Sequence, residues 1–454
     1  MSENTLTIDR KKVLKETINM AWPSVLEGML VVVAGMVDTY MVSSMGRAEV
    51  SAIGITGQPK YFVFSVFFAV NTAVSLLVAR RVGEKRQDDA NRLFLAGMVY
   101  VLGLGALLSI ICVIFARPLM IFAGANEDSK EIAARYFQIV MGGSLFNLIS
   151  LYINAAQRGS GRTRIAMTTN VTSNLVNVVL NYLLIGGHLG FPALGVDGAA
   201  IATVAGTAVA AVMSFVSICR KDSFISIKYI FANKIRPCVD NAKTLSKIGI
   251  TILGELLLTR VGFTINSVIA AKLGTDPNAA HHTGMNFMNL GFGFGDGLQV
   301  AALALVGRSL GQKNESLAKS YVSCSQKLGF FTACITSILL LIFARPIYNA
   351  YYPGVEHMLV YGQLICIFIA VIMPIQVSKI IFNGALRGAG DVKFTLFASS
   401  FSVTLIQPIL AQFLIQFLGW GLYGVWTSIL VSQLLQFILF GIRFKSGKWR
   451  DKKV

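Results

Sequence analysis

Charged residues are scarce in this chain of 454 residues. Asp, Glu, Lys and Arg make up 14% of the sequence, hydrophobic residues make up 54%, and the mean hydropathy is +0.65. Soluble domains carry about 25% charged residues, so this composition excludes an ordinary soluble protein. It is typical of a chain that crosses a membrane several times.

The motifs of common enzyme classes are also missing. No GxxxxGKS or GxxxxGKT phosphate loop occurs, and GFGFGDG at 291–297 has no preceding strand of the kind that a dinucleotide loop requires. Its glycines have the small-xxx-small spacing of closely packed helices. The pair His281 and His282 lacks two further ligands at metal-site spacing, so we assign no metal site. We expect a protein that is not an enzyme and has no cofactor.

Neither a disulfide framework nor a signal peptide is indicated. The six cysteines have no CxxC spacing and lie mostly inside apolar runs, which predicts reduced packing residues. The first 16 residues are polar and basic, without an apolar core. The first transmembrane helix is therefore expected to direct insertion.

Twelve stretches of the chain are long and apolar enough to form transmembrane helices. Each crossing needs about 20 mostly apolar residues, because the hydrocarbon core is about 30 Å thick. The predicted spans are 17–45, 53–79, 93–116, 132–156, 165–187, 195–219, 246–272, 283–307, 320–344, 358–386, 394–418 and 421–442. The predicted fold is all-α and integral to the membrane.

The distribution of Lys and Arg orients these spans, since cytoplasmic loops carry the excess of positive charge. Thirty basic residues fall in the termini and the connections on their side, and six fall in the opposite connections. We expect both termini in the cytoplasm of a multi-pass plasma-membrane protein, which means the inner membrane in a Gram-negative bacterium. The net charge of +18 follows from this topology and does not indicate a nucleic-acid partner.

The second half of the chain repeats the first. VGRSLGQK at 306–313 aligns with VARRVGEK at 78–85, and NGALRGAG at 383–390 aligns with NAAQRGSG at 154–161. The chain is thus predicted to be a tandem duplication of a six-helix unit. The predicted domains are a cytoplasmic N-terminus at 1–16, an N-terminal lobe at 17–219, a cytoplasmic connector at 220–245, a C-terminal lobe at 246–443 and a basic cytoplasmic tail at 444–454.

Because each copy has an even number of helices, both enter the membrane in the same direction. They are expected to be related by a pseudo-two-fold axis along the membrane normal. Repeats of this kind place a solute site at mid-membrane between the halves, where rocking exposes it to either side. A single stacked bundle that does not rock is the alternative.

Four acidic residues lie inside the predicted spans: Glu27, Asp38, Glu255 and Asp296. Each needs a reason, since a mid-helix charge costs about 2.5–3.5 kcal/mol on insertion scales. Glu27 and Asp38 lie on one face of the first helix, about 16 Å apart in height. Glu255 repeats Glu27, whereas Asn266 stands at the position that repeats Asp38. An acid found in one lobe alone, able to load and release a proton, is the better candidate for ion coupling.

The alternative is that basic neighbours neutralise these acids. Lys60 lies at a comparable depth in the second span, and Arg260 is close to Glu255 in the sequence. The fifth span also carries a row of amides on one face, at Asn170, Asn174, Asn177 and Asn181. Such a row joins helices through hydrogen bonds or, beside Asp38, completes a cation or proton site, and both roles can hold together.

Six short segments, spread over nearly the whole chain, form a distinctive combination. They are PSVLE at 23–27, MVDT at 36–39, VARRVG at 78–83, GVDGAAIAT at 195–203, LVGRSLG at 305–311 and ALRG at 385–388. Together they resemble the multidrug and toxic compound extrusion (MATE) family. The resemblance implies export of bulky, often cationic and aromatic compounds, driven by inward movement of Na⁺ or H⁺.

The resemblance also implies an ion-coupling site in the N-terminal lobe. Asp38 matches the family's aspartate of the first helix, and Asn177, Asn181 and Thr203 match positions that accompany it. Many members have an aspartate where this chain has Asn181. One carboxylate fewer weakens a Na⁺ site, which needs several oxygen ligands and negative charge.

A second-half site of the Na⁺-coupled members is altered as well. Its glutamate and its aspartate fall at Thr259 and Gln376, so neither acid is present. These departures favour H⁺ over Na⁺ as the coupling ion. The residues that we expect in the substrate cavity are Glu27, Asn154, Glu255, Asp296 and Gln376.

Two other functions remain open. A lipid or lipid-linked saccharide flippase of the same superfamily would need a cationic cavity for a pyrophosphate, whereas these spans contain four acids and few basic residues. A channel or receptor-like membrane protein would not need a duplicated lobe with an aspartate in one copy. We expect an antiporter that acts as a monomer, contacts membrane lipid and binds cationic or amphiphilic small molecules.

Overall fold

The computed structural model describes residues 9–43, 45–220, 223–450 and 452, and these ranges contain helices and no strand. Twelve long helices, α1 to α12, follow the predicted spans in order. They are Arg10–Ser43, Gly57–Gly83, Gln87–Ile114, the pair Lys130–Gly142 and Ser144–Gly159, Thr163–Gly186, Gly195–Ile218, Val239–Ala271, Thr275–Gly311, Glu315–Tyr351, Glu356–Gly388, Val392–Leu418 and Gly421–Lys445. Shorter helices lie in the connections at Arg47–Ile55, Ala116–Phe122, His188–Gly190 and Ile227–Ala232.

The length and composition of these helices suit a membrane. Within the described residues, ten are long and apolar enough to cross it, and α4 is an eleventh if its two parts, bent by 48°, form one span. The remaining long helix, α5, has 24 residues, but its four asparagines lower its mean hydropathy. The GFGFGDG run at 291–297 lies inside α8, so it is helical, as its glycine spacing predicted.

The chain divides into two compact units. The N-terminal unit is Leu26–Leu253, and the C-terminal unit contains the described residues up to Val25 together with those from Gly254 onward. This division falls inside α1 and α7, whereas the sequence placed each helix wholly in one lobe. Hydrogen bonds explain the difference: Tyr321 of α9 donates to Glu16 of α1, and Ser246 of α7 donates to Tyr100 of α3 at 3.1 Å.

The segment after α12 is bound to the C-terminal unit. Trp449 is fully buried, stacks on Phe444 with ring centres 4.9 Å apart, and donates to the Phe444 carbonyl at 2.7 Å. The ammonium of Lys452 lies 3.5 Å from Asp391. Within the predicted tail, the described residues up to 450 and Lys452 are thus held by an aromatic contact and an ion pair.

Glycines allow helices to touch at equivalent places in the two repeats. A side chain on Gly159 of α4 would lie 2.4 Å from the carbonyl oxygen of Ser75 of α2. One on Gly388 of α10 would lie 2.4 Å from the carbonyl oxygen of Leu303 of α8. Because the obstacle is backbone in both cases, a larger residue requires a whole helix to shift.

Replacing Gly159 or Gly388 by alanine should therefore lower stability by about 1–3 kcal/mol, the usual cost of overpacking. Thermal unfolding of the purified protein in detergent should show a lower Tm for both variants. Gly103→Ala is the matched control, because a side chain there meets nothing within 4 Å. Equal Tm values for the three variants would contradict the close-contact role.

Candidate functional site

Asp38 lies on α1 beside two amides of α5. The Asn181 amide nitrogen donates to the carboxylate at 2.8 Å. With its amide oriented so that both ends are hydrogen-bonded, Asn177 donates to the same oxygen at 2.9 Å and accepts from the backbone nitrogen of Thr203 of α6 at 3.1 Å. The structure thus brings together the four residues that the resemblance grouped as an ion-coupling site.

The register between α1 and α5 explains why amides meet acids here. The pair Asp38 and Asn181 and the pair Glu27 and Asn170 have the same separation of 143 residues. The two helices therefore run side by side in one direction, and the amide row of α5 follows the acidic face of α1. Asn170 and Asn181 of this row thus join α5 to α1 through hydrogen bonds, and the part of the row beside Asp38 as a cation or proton site stays a prediction.

Two further side chains, Tyr136 and Lys60, lie next to the Asp38 group. Tyr136 was not recognised from the sequence. Tyr136 of α4 is buried within electrostatic reach of Asp38 and next to Thr203. The ammonium of Lys60 lies 5.1 Å from the centre of the Tyr136 ring, a cation–π contact. Nothing in the sequence distinguishes Tyr136 from the other tyrosines, because its proximity to Asp38 depends on how α4 packs.

Glu27 is neutralised by an arginine rather than by Lys60, which the sequence suggested. Arg158, at the end of α4, forms a partly buried ion pair with Glu27, and Asn170 donates to the same carboxylate oxygen. Arg158 reaches Glu27 because α4 ends beside α1, although the two residues are 131 positions apart.

Glu255 has an equivalent partner in the C-terminal unit. Arg387 lies 2.9 Å from its carboxylate, and Glu255 is only 3% exposed. Three neutral groups complete the set: Asn383 donates at 2.9 Å, Thr395 at 2.9 Å and Ser399 at 2.8 Å. Arg387 repeats Arg158, so the duplication has kept one buried glutamate–arginine pair in each unit.

The other predicted cavity residues lie in separate surroundings. Asp296 is exposed on α8, where the charges of Arg387 and Lys379 act on it. Gln376 of α10 is fully buried and donates to the Met288 carbonyl at 3.4 Å.

Asn154 belongs to a polar network inside the N-terminal unit. It is fully buried, accepts from Ser214 of α6 at 3.2 Å and donates to Ser150 at 3.4 Å. These bonds join α4 to α6. Its place in a substrate cavity stays a prediction, as do those of Asp296 and Gln376.

A row of polar residues on α10 was not recognised from the sequence. Gln376, Lys379, Asn383 and Arg387 are spaced three, four and four residues apart, which places them on one helical face. All four are buried. The same spacing revealed the amide row of α5, so the signal was present in the sequence.

The described residues contain no group of three or more His, Cys, Asp or Glu side chains that could hold a metal ion. His281 is buried against Trp426, with ring centres 5.6 Å apart, and not in a ligand cluster. A monovalent coupling ion could be bound by the oxygens of Asp38, Asn177 and Thr203, provided that the Asn177 amide turned over.

Comparison with known proteins gives a consistent result. The family model described as MatE matches residues 23–183 and 251–413. A "Probable multidrug resistance protein NorM" of Thermotoga maritima is 24% identical over 443 residues, covering 98% of this chain and 94% of that protein. The protein of the same name from Bacillus cereus is 26% identical over 452 residues, covering 97% and 95%. A crystal structure of a MATE mutant has a TM-score of 0.88 at 18% identity, covering 97% of each chain, which confirms the predicted fold class.

Removing one partner of a buried ion pair should be costly. We expect Arg387→Met to destabilise the protein by about 3–5 kcal/mol, because it leaves the Glu255 carboxylate buried without a counter-charge. Adding Glu255→Gln to that variant should recover part of the loss. The measurement is thermal unfolding in detergent, with Arg345→Met, a change at an exposed position, as control. An unchanged Tm for Arg387→Met would contradict a stabilising role of the pair.

Proposed function

The chain belongs to the MatE family, and we propose on this basis that it is a secondary antiporter of the cytoplasmic membrane that exports bulky organic cations in exchange for protons. Members of this family are transporters rather than enzymes. The name of the two relatives, multidrug resistance protein, supports drugs as the exported class.

The observation that carries the proposal is the setting of Asp38. Its carboxylate is half-buried inside a membrane-spanning helix and bound by the amide N–H groups of Asn177 and Asn181. Amide donors stabilise the charged form without cancelling its charge. A carboxylate in such a place can therefore alternate between charged and protonated forms, as proton exchange requires.

The same geometry favours protons over Na⁺. A hard cation needs several oxygen ligands, whereas the groups that meet the Asp38 carboxylate are N–H donors. Asn181 supplies an amide where an aspartate would add a second negative charge.

In the proposed cycle, charged Asp38 holds the α5 amides against α1 and favours the state that binds an organic cation from the cytoplasm. Protonation from outside removes the charge. The two amide bonds then weaken, since hydrogen bonds to an ionised group are about twice as strong as neutral ones. The contact between α1 and α5 loosens at this level, and the cation is released outside.

A lipid or lipid-linked saccharide flippase is the weaker proposal. Its cavity would need basic groups free to bind a pyrophosphate. Arg158 and Arg387 are instead bound to Glu27 and Glu255. Neither arginine is therefore available to an anionic cargo.

Ethidium accumulation in inside-out vesicles, with pH and Na⁺ gradients imposed separately, tests the antiport. We expect the pH gradient alone to drive ethidium movement and Asp38→Asn to reduce it to the background of empty vesicles. Asp276→Asn is the control, because Asp276 is an exposed acid at the start of α8, bound to His357. Wild-type rates in the Asp38→Asn variant, or ethidium movement driven by a Na⁺ gradient alone, would contradict the proposal.

Asn181→Asp should make transport respond to Na⁺. The second carboxylate adds an oxygen ligand and negative charge next to Asp38. In the same vesicles, a Na⁺ gradient alone should then drive ethidium movement that the wild type lacks. Asn174→Asp places the same change on the same helix, one turn before Asn177. An equal response from both variants, or from neither, would contradict the role given to Asn181.

A further inference from the structure

Lys379 is a buried ammonium on the polar row of α10 defined above. It is 7% exposed, and its amine donates to the side-chain oxygen of Gln436 of α12 at 3.0 Å. No described carboxylate lies within 4.0 Å of it, so it has no ion pair in the part of the chain that the structure covers. A buried charge without a counter-charge is costly, so this lysine requires an explanation beyond packing.

The charged groups around Lys379 do not neutralise it directly. Glu255 of α7 and Asp296 of α8 act on it from a distance, but Glu255 is already bound by Arg387. Asp296 is exposed. The neighbouring helices otherwise contribute neutral groups: Gln436 from α12, and from α9 Gln326, which donates to the Ser378 carbonyl at 2.8 Å.

Buried polar atoms near Lys379 lack partners. The side-chain oxygen of Gln376, one turn away on α10, has no hydrogen-bond partner within the described residues. The same holds for both side-chain ends of Gln433, one turn from Gln436 on α12, and of Gln407 on α11. Gln433 and Gln407 are fully buried.

Gln407 and Gln433 lie at one level of the hairpin formed by α11 and α12. Gly424 of α12 packs against Leu414 of α11. Because α11 and α12 run in opposite directions, seven residues before Leu414 on α11 lie level with seven residues after Gly424 on α12. These positions are Gln407 and Val431, and Val431 belongs to the helical turn that holds Gln433. Buried polar groups are nearly always hydrogen-bonded, and ordered water is the usual partner where protein supplies none. Gln376 and Gln433 each lie one turn from a member of the Lys379–Gln436 hydrogen bond, so water bound to them would lie close to Lys379.

We propose that Lys379 is a second proton-exchanging group, so that two protons enter for each monovalent cation exported. The step breaks one N–H bond: the ammonium gives its proton to water beside Gln376 and Gln433, and becomes a neutral amine. Later in the transport cycle, the neutral amine takes a proton back from water and becomes an ammonium again. This proposal rests on the antiport proposed above and adds its stoichiometry.

The duplication supports a separate proton group in each unit. Asp38 is replaced in the second repeat by Asn266, and Lys379 is replaced in the first by Ser150. Each unit therefore has a titratable group that the other lacks. One proton exchanged for one monovalent cation moves no net charge, whereas two protons move one charge inward, and the membrane potential then contributes about 50-fold per 100 mV to the gradient that can be sustained.

Lys379→Arg separates charge from proton exchange, because a guanidinium keeps its charge but does not release its proton in proteins. In reconstituted vesicles clamped at zero potential with K⁺ and valinomycin, proton influx and ethidium movement are measured together by dyes. We expect about two protons per ethidium for the wild type and about one for Lys379→Arg. Lys327→Arg, the same change at an exposed position of α9, should behave as the wild type.

A voltage-sensitive dye in unclamped vesicles gives an independent readout. Wild-type exchange should generate a potential, and exchange by Lys379→Arg should not. Lys379→Met, an uncharged side chain of similar length, should also give about one proton per ethidium, so the result does not depend on fitting the larger guanidinium.

The possible outcomes separate the role of Lys379 from the antiport itself. A wild-type ratio of one, with ethidium-for-proton exchange intact, overturns the role of Lys379 and leaves the antiport standing. A ratio of two in both Lys379 variants overturns it as well. Absence of any exchange in the wild type overturns the antiport itself. The proposal is supported only if the ratio falls in both Lys379 variants and stays at two in Lys327→Arg.

Discussion

An ionised side chain inside the membrane needs a partner, and this constraint organises the interior of both units. Glu27 with Arg158 and Glu255 with Arg387 satisfy it by pairing opposite charges at equivalent positions of the two repeats. These pairs join the first helix of each repeat to the end of its fourth. Asp38 differs from these glutamates, because its carboxylate accepts hydrogen bonds from amide N–H groups and has no cation bound to it within the described residues. Amide donors stabilise a carboxylate without cancelling its charge.

The paired charges and the amide row depend on one another. The ion pair at Glu27 lies on the face of α1 that also carries Asp38, so the contact with Asn170 fixes the register that brings Asn181 to the aspartate. In the second repeat, Ser399 takes the place of Asn170 beside Glu255. The ion pair is thus kept in both units, whereas Asp38 occurs in the first repeat and Asn266 stands at its position in the second.

Much of this could be predicted from the sequence, because helix length, helix face and the duplication are local or repeated signals. The twelve spans follow from the length of the apolar runs, and the shared face of Glu27 and Asp38 and the amide row of α5 follow from helical periodicity. The partners of the two glutamates did not follow from it, since each arginine is more than a hundred residues away and reaches its acid only through helix packing. Yet Arg158 and Arg387 fall in the aligned motifs at 154–161 and 383–390, so the repeat itself contained that clue.

The central claim is that Asp38 gives up a proton when an organic cation binds. Purified protein in weakly buffered detergent, titrated with ethidium at a pH where binding is measurable, reports the protons released per cation bound. We expect Asp38→Asn to release one proton fewer than the wild type at equal occupancy of the site. Equal proton release by the two proteins, with ethidium bound to both, would contradict it.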